Sequence, residues 1–216
     1  MHAFSLHNNK GYLAKKDKKL INELFEKISS SSSEISGAVF IPEEPEDENY
    51  DHNKEMVFKF NDLKSKGSFL ALRIEGDKTS LEEKIKALTD ELGLDKLDST
   101  ILDLYQSVPF WKKINNLELF NATKNNLLRA VIPPSKGIKL MQYLSNKYKY
   151  YVDWCGSLYW IEIQSKKNTK VREIKNIIKE LEGYLTIIKT SDEYDYEDTI
   201  FTVDSTRLLI SEKIKK

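Results

Sequence analysis

Tyr148-Lys149-Tyr150-Tyr151-Val152-Asp153-Trp154-Cys155-Gly156-Ser157-Leu158-Tyr159-Trp160-Ile161-Glu162-Ile163-Gln164 is the stretch that decides the fold. Two runs rich in aromatic and β-branched residues flank a short turn, Cys155-Gly156-Ser157, which reads as a β-hairpin. Its strands are Tyr148 to Trp154 and Leu158 to Gln164. Upstream, Ser135 is placed to cap a helix carrying Ile138, Leu140, Met141 and Leu144. Downstream, Thr169 starts a helix carrying Val171, Ile174, Ile177, Ile178 and Leu181, and Gly183 stops it. Outside these lie two more apolar runs, Leu127 to Ile132, closed by Pro133-Pro134, and Tyr184 to Lys189, both strands.

The resulting order, β-α-β-β-α-β, is that of the ferredoxin-like split βαβ unit, so the fold class is α+β. The first half also gives strands flanked by helices. Lys18 to Ser29 places Leu20, Ile21, Leu24, Phe25 and Ile28 at helical spacing. Residues 37–41, 56–60 and 69–75 read as strands. Thr79 or Ser80 is placed to cap a helix with Leu81, Ile85, Leu88 and Leu92, ended by Gly93. A further helix is expected from Thr100 to Lys113, interrupted or bent at Pro109. The first half therefore admits being a degenerate copy of the second, the two forming one sheet. The expected organisation is a loose polar segment over 1–13, a first α+β half over 14–116, and a ferredoxin-like half with a C-terminal helix over 117–216. Acidic loops are expected over 42–53 and 191–198, and the last helix from Asp204 onward, with no stop signal where the chain ends.

Composition narrows the function classes. The 216 residues carry 34 Lys plus Arg and 34 Asp plus Glu, a formal net charge of zero. Neutrality gives no general case for nucleic acid or membrane surfaces. Aromatic residues on a ferredoxin-like sheet are able to stack bases, but the basic sheet face that a nucleic-acid binder needs is missing. No apolar stretch approaches a membrane span, and the start has no signal-peptide pattern. One cysteine, Cys155, excludes an internal disulfide and suits a reducing cytosol. His2, His7 and His52 have no ligand-spaced neighbours, so no metal is expected. No histidine in the second half is available to activate Cys155, which reads as a small turn residue. Eight glycines form neither a G-x-G-x-x-G nor a P-loop, so a phosphate cradle is lacking.

What remains is a polar and aromatic cluster. Arg129 lies mid-strand in an apolar run, a costly place unless it meets an anion or a carboxylate. Asp153 and Trp154 end the next strand, and Trp160 begins its hairpin mate, so all can share one sheet face. Two readings stand level: a structural Arg129–Asp153 pair under a Trp lid, or a guanidinium and aromatic wall that grip a carboxylate or a flavin-type ring. Arg73 and Glu75 alternate outward on their strand and read as a cross-strand salt bridge.

The strings Arg129-Ala130-Val131-Ile132-Pro133-Pro134 and Tyr151-Val152-Asp153-Trp154-Cys155-Gly156-Ser157-Leu158-Tyr159-Trp160 carry a resemblance. With Ile35-Ser36-Gly37-Ala38 and Leu70-Ala71-Leu72-Arg73-Ile74-Glu75-Gly76 upstream in matching order, residues 30–216 resemble the C-terminal part of the FAD-binding E subunit of bacterial glycolate oxidase. That subunit is a flavoprotein of the vanillyl-alcohol-oxidase type. The resemblance implies an α+β cap with ferredoxin-like halves closing over a flavin, in an assembly that oxidises a small 2-hydroxy acid while FAD takes the hydride. It implies that Arg129 holds the substrate carboxylate or the flavin, and that Asp153, Trp154 and Trp160 line the site or fix the arginine.

Members of that family begin with a separate FAD-binding domain and continue beyond the last helix with an Asn-Pro-Gly segment, and neither is in this sequence. Cys155 stands where a Gly or Ala is usual. The expectation is a cap whose FAD is bound mainly by a domain absent from this chain, inactive and without tightly bound FAD when isolated. The partners expected are an FAD-binding domain or flavoprotein subunit, other glycolate-oxidase-like subunits and a small 2-hydroxy acid. The expected location is the cytoplasm, possible attachment to the inner membrane being through those subunits. The rival expectation is a free-standing ferredoxin-like interaction or regulatory module.

Overall fold

The computed structural model describes residues 2–7, 18–42, 68–93, 99–120, 124–163, 169–191 and 213. Sixteen strands, helices and 3-10 turns follow one another among the described residues. The first half runs β1 (His2–His7), α1 (Lys18–Ser30), β2 (Ile35–Ile41), β3 (Phe69–Ile74), α2 (Lys78–Leu92), β4 (Ser99–Leu102) and α3 (Leu104–Asn115). The second half runs β5 (Asn126–Val131), α4 (Gly137–Leu144), β6 (Lys149–Asp153), β7 (Leu158–Ile163), α5 (Thr169–Glu180) and β8 (Tyr184–Lys189). Single 3-10 turns at Glu118–Phe120, Pro134–Lys136 and Trp154–Gly156 complete the sixteen.

The eight described strands form one sheet in the order β4-β1-β3-β2-β6-β7-β5-β8. Every registered pair is antiparallel. In each half the first strand pairs with the third and the fourth, so the sheet order reads the same from either edge. The halves meet through their second strands, where Phe40 of β2 lies opposite Val152 of β6.

Alternation along the strands sorts side chains onto two faces. On one face Leu70, Leu72 and Ile74 of β3, Leu128 and Ala130 of β5, Val152 of β6 and Tyr159 and Ile161 of β7 pack under residues of α1, α2, α4 and α5. On the other, Val39, Ala71, Leu127 and Tyr151 pack under Phe110, Trp111 and Ile114 of α3 and Phe120. The four-helix face is covered across both halves. On the other face, Tyr184 and Ile188 of β8 are exposed.

Several boundaries differ from the sequence expectation. Residues 2–7 are not loose: β1 pairs with β3 from His2↔Ile74 to His7↔Phe69 and with β4 from Ala3↔Leu102 to Leu6↔Ser99. A six-residue run has little local signal, and pairing on both sides supplies its order. The helix expected from Thr100 begins later, because Ser99–Leu102 is β4 and Asp103 is the N-cap. Asp103 Oδ1 accepts from Gln106 N at 2.9 Å and Gln106 Oε1 accepts from Asp103 N at 3.2 Å, a reciprocal capping box. Asp103→Ala is expected to lower the unfolding free energy by about 1 kcal/mol, read as a shifted urea midpoint at constant slope.

α3 runs through Pro109 without a break. The carbonyl freed by the proline belongs to Tyr105, which is 86% exposed, so water can take it. α2 is capped by Asp77, whose Oδ1 accepts from Ser80 N at 3.1 Å, and not by Thr79 or Ser80. Ser135 does not cap α4 either; Pro134 opens a 3-10 turn there, and no side chain caps the helix. The expected strand over 56–60, the loop over 43–53, the acidic segment over 192–198 and the last helix, Lys213 apart, lie outside the described residues. Among the described residues no helix is long and apolar enough to cross a membrane.

Candidate functional site

Arg129 sits mid-strand on β5, opposite Trp160 of β7 on one side and Thr186 of β8 on the other. Tyr151 of β6 is the next residue across, opposite Trp160, with ring centroids 6.5 Å apart. Arg129, Trp160, Tyr151 and Asp153 therefore line up on the face that the four helices leave uncovered. Arg129 and Trp160 are half-buried.

The turn after β6 places the second tryptophan. Trp154, Cys155 and Gly156 take left-handed φ values of 49°, 50° and 89° in succession. For a bulky residue such as Trp this conformation costs roughly 1–2 kcal/mol. It persists because neighbouring groups fix it. Asp153 Oδ1 accepts from Trp154 N at 2.7 Å, and Ser157 Oγ donates to Trp154 O at 2.8 Å. Gly156 packs against α1, where an added Cβ would lie 3.1 Å from Phe25 Cδ2. The result is a Trp154 indole that is 58% exposed and lies over the Arg129 guanidinium, 5.4 Å from Cζ to the ring centroid. Strain of this kind gathers where a side chain must be held in one place.

Arg129 and Asp153 form no ion pair, so the structural pairing considered from sequence is not made. Asp153 instead lines a cleft of 280 Å³ on the same sheet face, which it shares with Trp154, Cys155, Arg73 and Trp111. Burial raises the Asp153 carboxyl above its usual value, opposed by the Trp154 N–H and by the Arg73 charge. Arg73 does pair with Glu75, at 3.1 Å through Nε, but the partner is two residues along its own chain and not across the sheet. Burial also pushes the Cys155 thiol up, which keeps it protonated and a weak nucleophile.

The raised Asp153 value has a consequence for stability. A carboxyl whose folded pKa exceeds its unfolded value of about 3.9 contributes stability that is fully present below that value and lost as pH rises through the folded one. Ionised Asp153 therefore opposes folding at neutral pH. Asp153→Asn keeps an oxygen for Trp154 N, and it is expected to raise the melting temperature at pH 7, with the gain shrinking toward pH 3. Thermal melts across that range check it; a gain independent of pH would point to another cause.

The sequence singled out Arg129, Asp153, Trp154 and Trp160. The structure brings Arg129 together with both tryptophans and turns Asp153 toward Arg73. Sequence reading missed Trp111 and the role of Arg73. The available signal was the scarcity of arginine, four in a chain rich in lysine, since two of the four lie on this sheet face. Among the described residues no group of three or more His, Cys, Asp and Glu is placed to hold a metal ion. Neither a protein-family model nor a curated protein matches the chain.

Proposed function

We propose that this chain is the cap and substrate domain of an FAD-dependent 2-hydroxyacid oxidoreductase of the glycolate-oxidase type, built from two ferredoxin-like halves. One observation carries the reading. Arg129 is half-buried on an open sheet face with no carboxylate partner among the described residues, under an exposed indole. A guanidinium kept for stability at such a place would be ion-paired. A guanidinium kept for a ligand offers a planar fork that matches a carboxylate. The topology supports the fold part of the proposal, because in each half the strands follow the spatial order four-one-three-two of a split βαβ unit.

The residues fit the ring end of a flavin and not its other end. An exposed indole beside a guanidinium suits a flat conjugated ring, whereas the chain offers no glycine-rich cradle for a pyrophosphate. FAD is accordingly held mainly by a separate domain or flavoprotein subunit, and it supplies the acceptor for the hydride leaving the substrate. Arg129 grips the carboxylate of the 2-hydroxy acid, Trp154 and Trp160 wall the site against water, and Asp153 fixes the turn that positions Trp154. The assembly works in the cytoplasm, with other glycolate-oxidase-like subunits as its link to the inner membrane.

A second reading, a ferredoxin-like interaction module, is favoured by exposed Ile101, Leu104, Tyr105 and Val108 where β4 meets α3. Arg129→Lys in the protein purified from its source separates the two. The oxidase reading expects flavin absorbance in that preparation, oxidation of glycolate or lactate, and a fall in kcat/KM of at least about tenfold in the variant at an unchanged melting temperature. A preparation without flavin that oxidises neither acid overturns it and leaves the interaction module.

A further inference from the structure

The cleft behind Trp154 lies on the same sheet face as Arg129, where the two halves join, and Arg129 is not among the residues that line it. Its walls come from β2, β3, α3 and the turn after β6. Two groups of opposite charge reach it. Arg73 spends its Nε on Ser36 Oγ at 2.8 Å and on Glu75 Oε1 at 3.1 Å, which leaves the two terminal nitrogens without a partner among the described residues. Its guanidinium lies over Trp111, 5.5 Å from Cζ to the ring centroid. Asp153 uses Oδ1 on Trp154 N, and no described residue donates to Oδ2. The two charges do not meet as an ion pair, although Arg73 is near enough to favour the ionised form of Asp153. Trp111 is 5% exposed, and its Nε1–H has no hydrogen-bond partner among the described residues.

We infer that this cleft binds a small zwitterion, an α-amino acid with an uncharged side chain, its carboxylate on the terminal nitrogens of Arg73 and its ammonium on Asp153. The charge balance selects this class. A simple carboxylate, a 2-hydroxy acid included, would satisfy the terminal nitrogens of Arg73 but add an anion beside half-buried Asp153 and the Glu75 carboxylate that Arg73 already holds. A simple amine would satisfy Asp153 but leave those nitrogens without an acceptor. A zwitterion leaves neither charge uncompensated in a partly desolvated site. The two indoles add faces that attract an ammonium. The volume of 280 Å³ falls just below the roughly 300 Å³ at which drug-sized sites begin, so a ligand of few heavy atoms fits.

The inference does not rest on the oxidase reading. Its test is titration of the 216-residue chain with glycine, L-alanine and L-serine, against glycolate and methylamine as comparators, followed by calorimetry and by tryptophan fluorescence. Saturable binding of at least one amino acid is expected, with each comparator at least about tenfold weaker. Arg73→Lys and Asp153→Asn should each weaken the amino acid at least about tenfold while the chain still melts cooperatively. Absence of saturable binding by all three amino acids at about 10 mM overturns it. So does glycolate binding as tightly as glycine, or an Asp153→Asn chain that binds as the parent does.

Discussion

Tyr151→Ala is expected to cost about 3–5 kcal/mol of unfolding free energy. Tyr151 is 1% exposed and is the keystone of the smaller core. Its ring stacks on Phe120 at 5.6 Å and meets Trp160 at 6.5 Å. Its hydroxyl donates to Ile114 O at 3.2 Å, near the end of α3. Truncation removes the packing on all of these and leaves a cavity that the surrounding core can only partly collapse to fill. Burial also pushes the phenol well above its ordinary pKa, so the hydroxyl stays a donor at any working pH. Tyr151→Phe separates the contributions: it deletes only the hydroxyl and should cost about 1 kcal/mol, plus some penalty for the carbonyl left without its donor. Urea unfolding of both variants, compared at equal slope, measures the split. Equal losses in the two would mean that the hydrogen bond, and not the ring, carries the site. Because Trp160 leans on this ring, Tyr151→Ala should also loosen the wall beside Arg129.

Much of the second half was legible because its signals are local. The hairpin has aromatic and β-branched strands around a Gly-containing turn, and β8 (Tyr184–Lys189) matches the expected bounds. The helix α5 has Val171, Ile174 and Ile178 at the buried spacing its pattern predicts. β1 was illegible for the opposite reason. Its six residues acquire strand order from β3 and β4, which lie far along the chain, and no window around residues 2–7 contains that information. The confusion at Ser99–Leu102 is a four-residue strand directly before a helix, where period cannot be read and only Asp103 and Gln106 mark the border. At the site, the shared face of Arg129 and Trp160 follows from strand alternation once the hairpin is known. The same alternation puts Asp153 on that face, two residues after Tyr151. The placement of Trp154 over Arg129 does not follow from it. It depends on the left-handed turn at Trp154, Cys155 and Gly156, and two of those residues are types that rarely adopt it. Only Gly156 hinted at the turn, and the cleft that Asp153 enters is made with Arg73 and Trp111 from the other half.

Gly183→Ala is expected to destabilise the chain by about 3 kcal/mol, the upper end of what one added methyl does in a tight site. Gly183 was legible as a helix stop, but its role differs from that of a usual stop residue. The left-handed position after α5 is Glu182, with φ 59°. Glu182 N donates to Lys179 O at 3.0 Å and Gly183 N to Ile178 O at 2.8 Å, the pair of bonds that closes a Schellman motif with Gly183 one residue beyond the left-handed one. Glycine is therefore required at 183 by space. An added Cβ would lie 2.5 Å from Ile132 Cγ2, 2.7 Å from Val131 O and 3.1 Å from Ile178 Cγ2. A side-chain methyl can turn aside, whereas the Val131 carbonyl belongs to the backbone of β5 and cannot move without shifting the strand. β8 enters the sheet at Tyr184, opposite Val131, so the strain falls on the first rung of the β5–β8 pairing. Glu182→Gly is the matched control. It relieves a left-handed conformation that costs a non-glycine residue roughly 1–2 kcal/mol, so it should stabilise, less any loss of the Lys136–Glu182 contact at 3.5 Å, an exposed pair worth at most about 1 kcal/mol. Opposite signs for the two substitutions in thermal and urea unfolding place the glycine requirement at 183 in close packing. No loss of stability in Gly183→Ala would overturn the close-packing requirement.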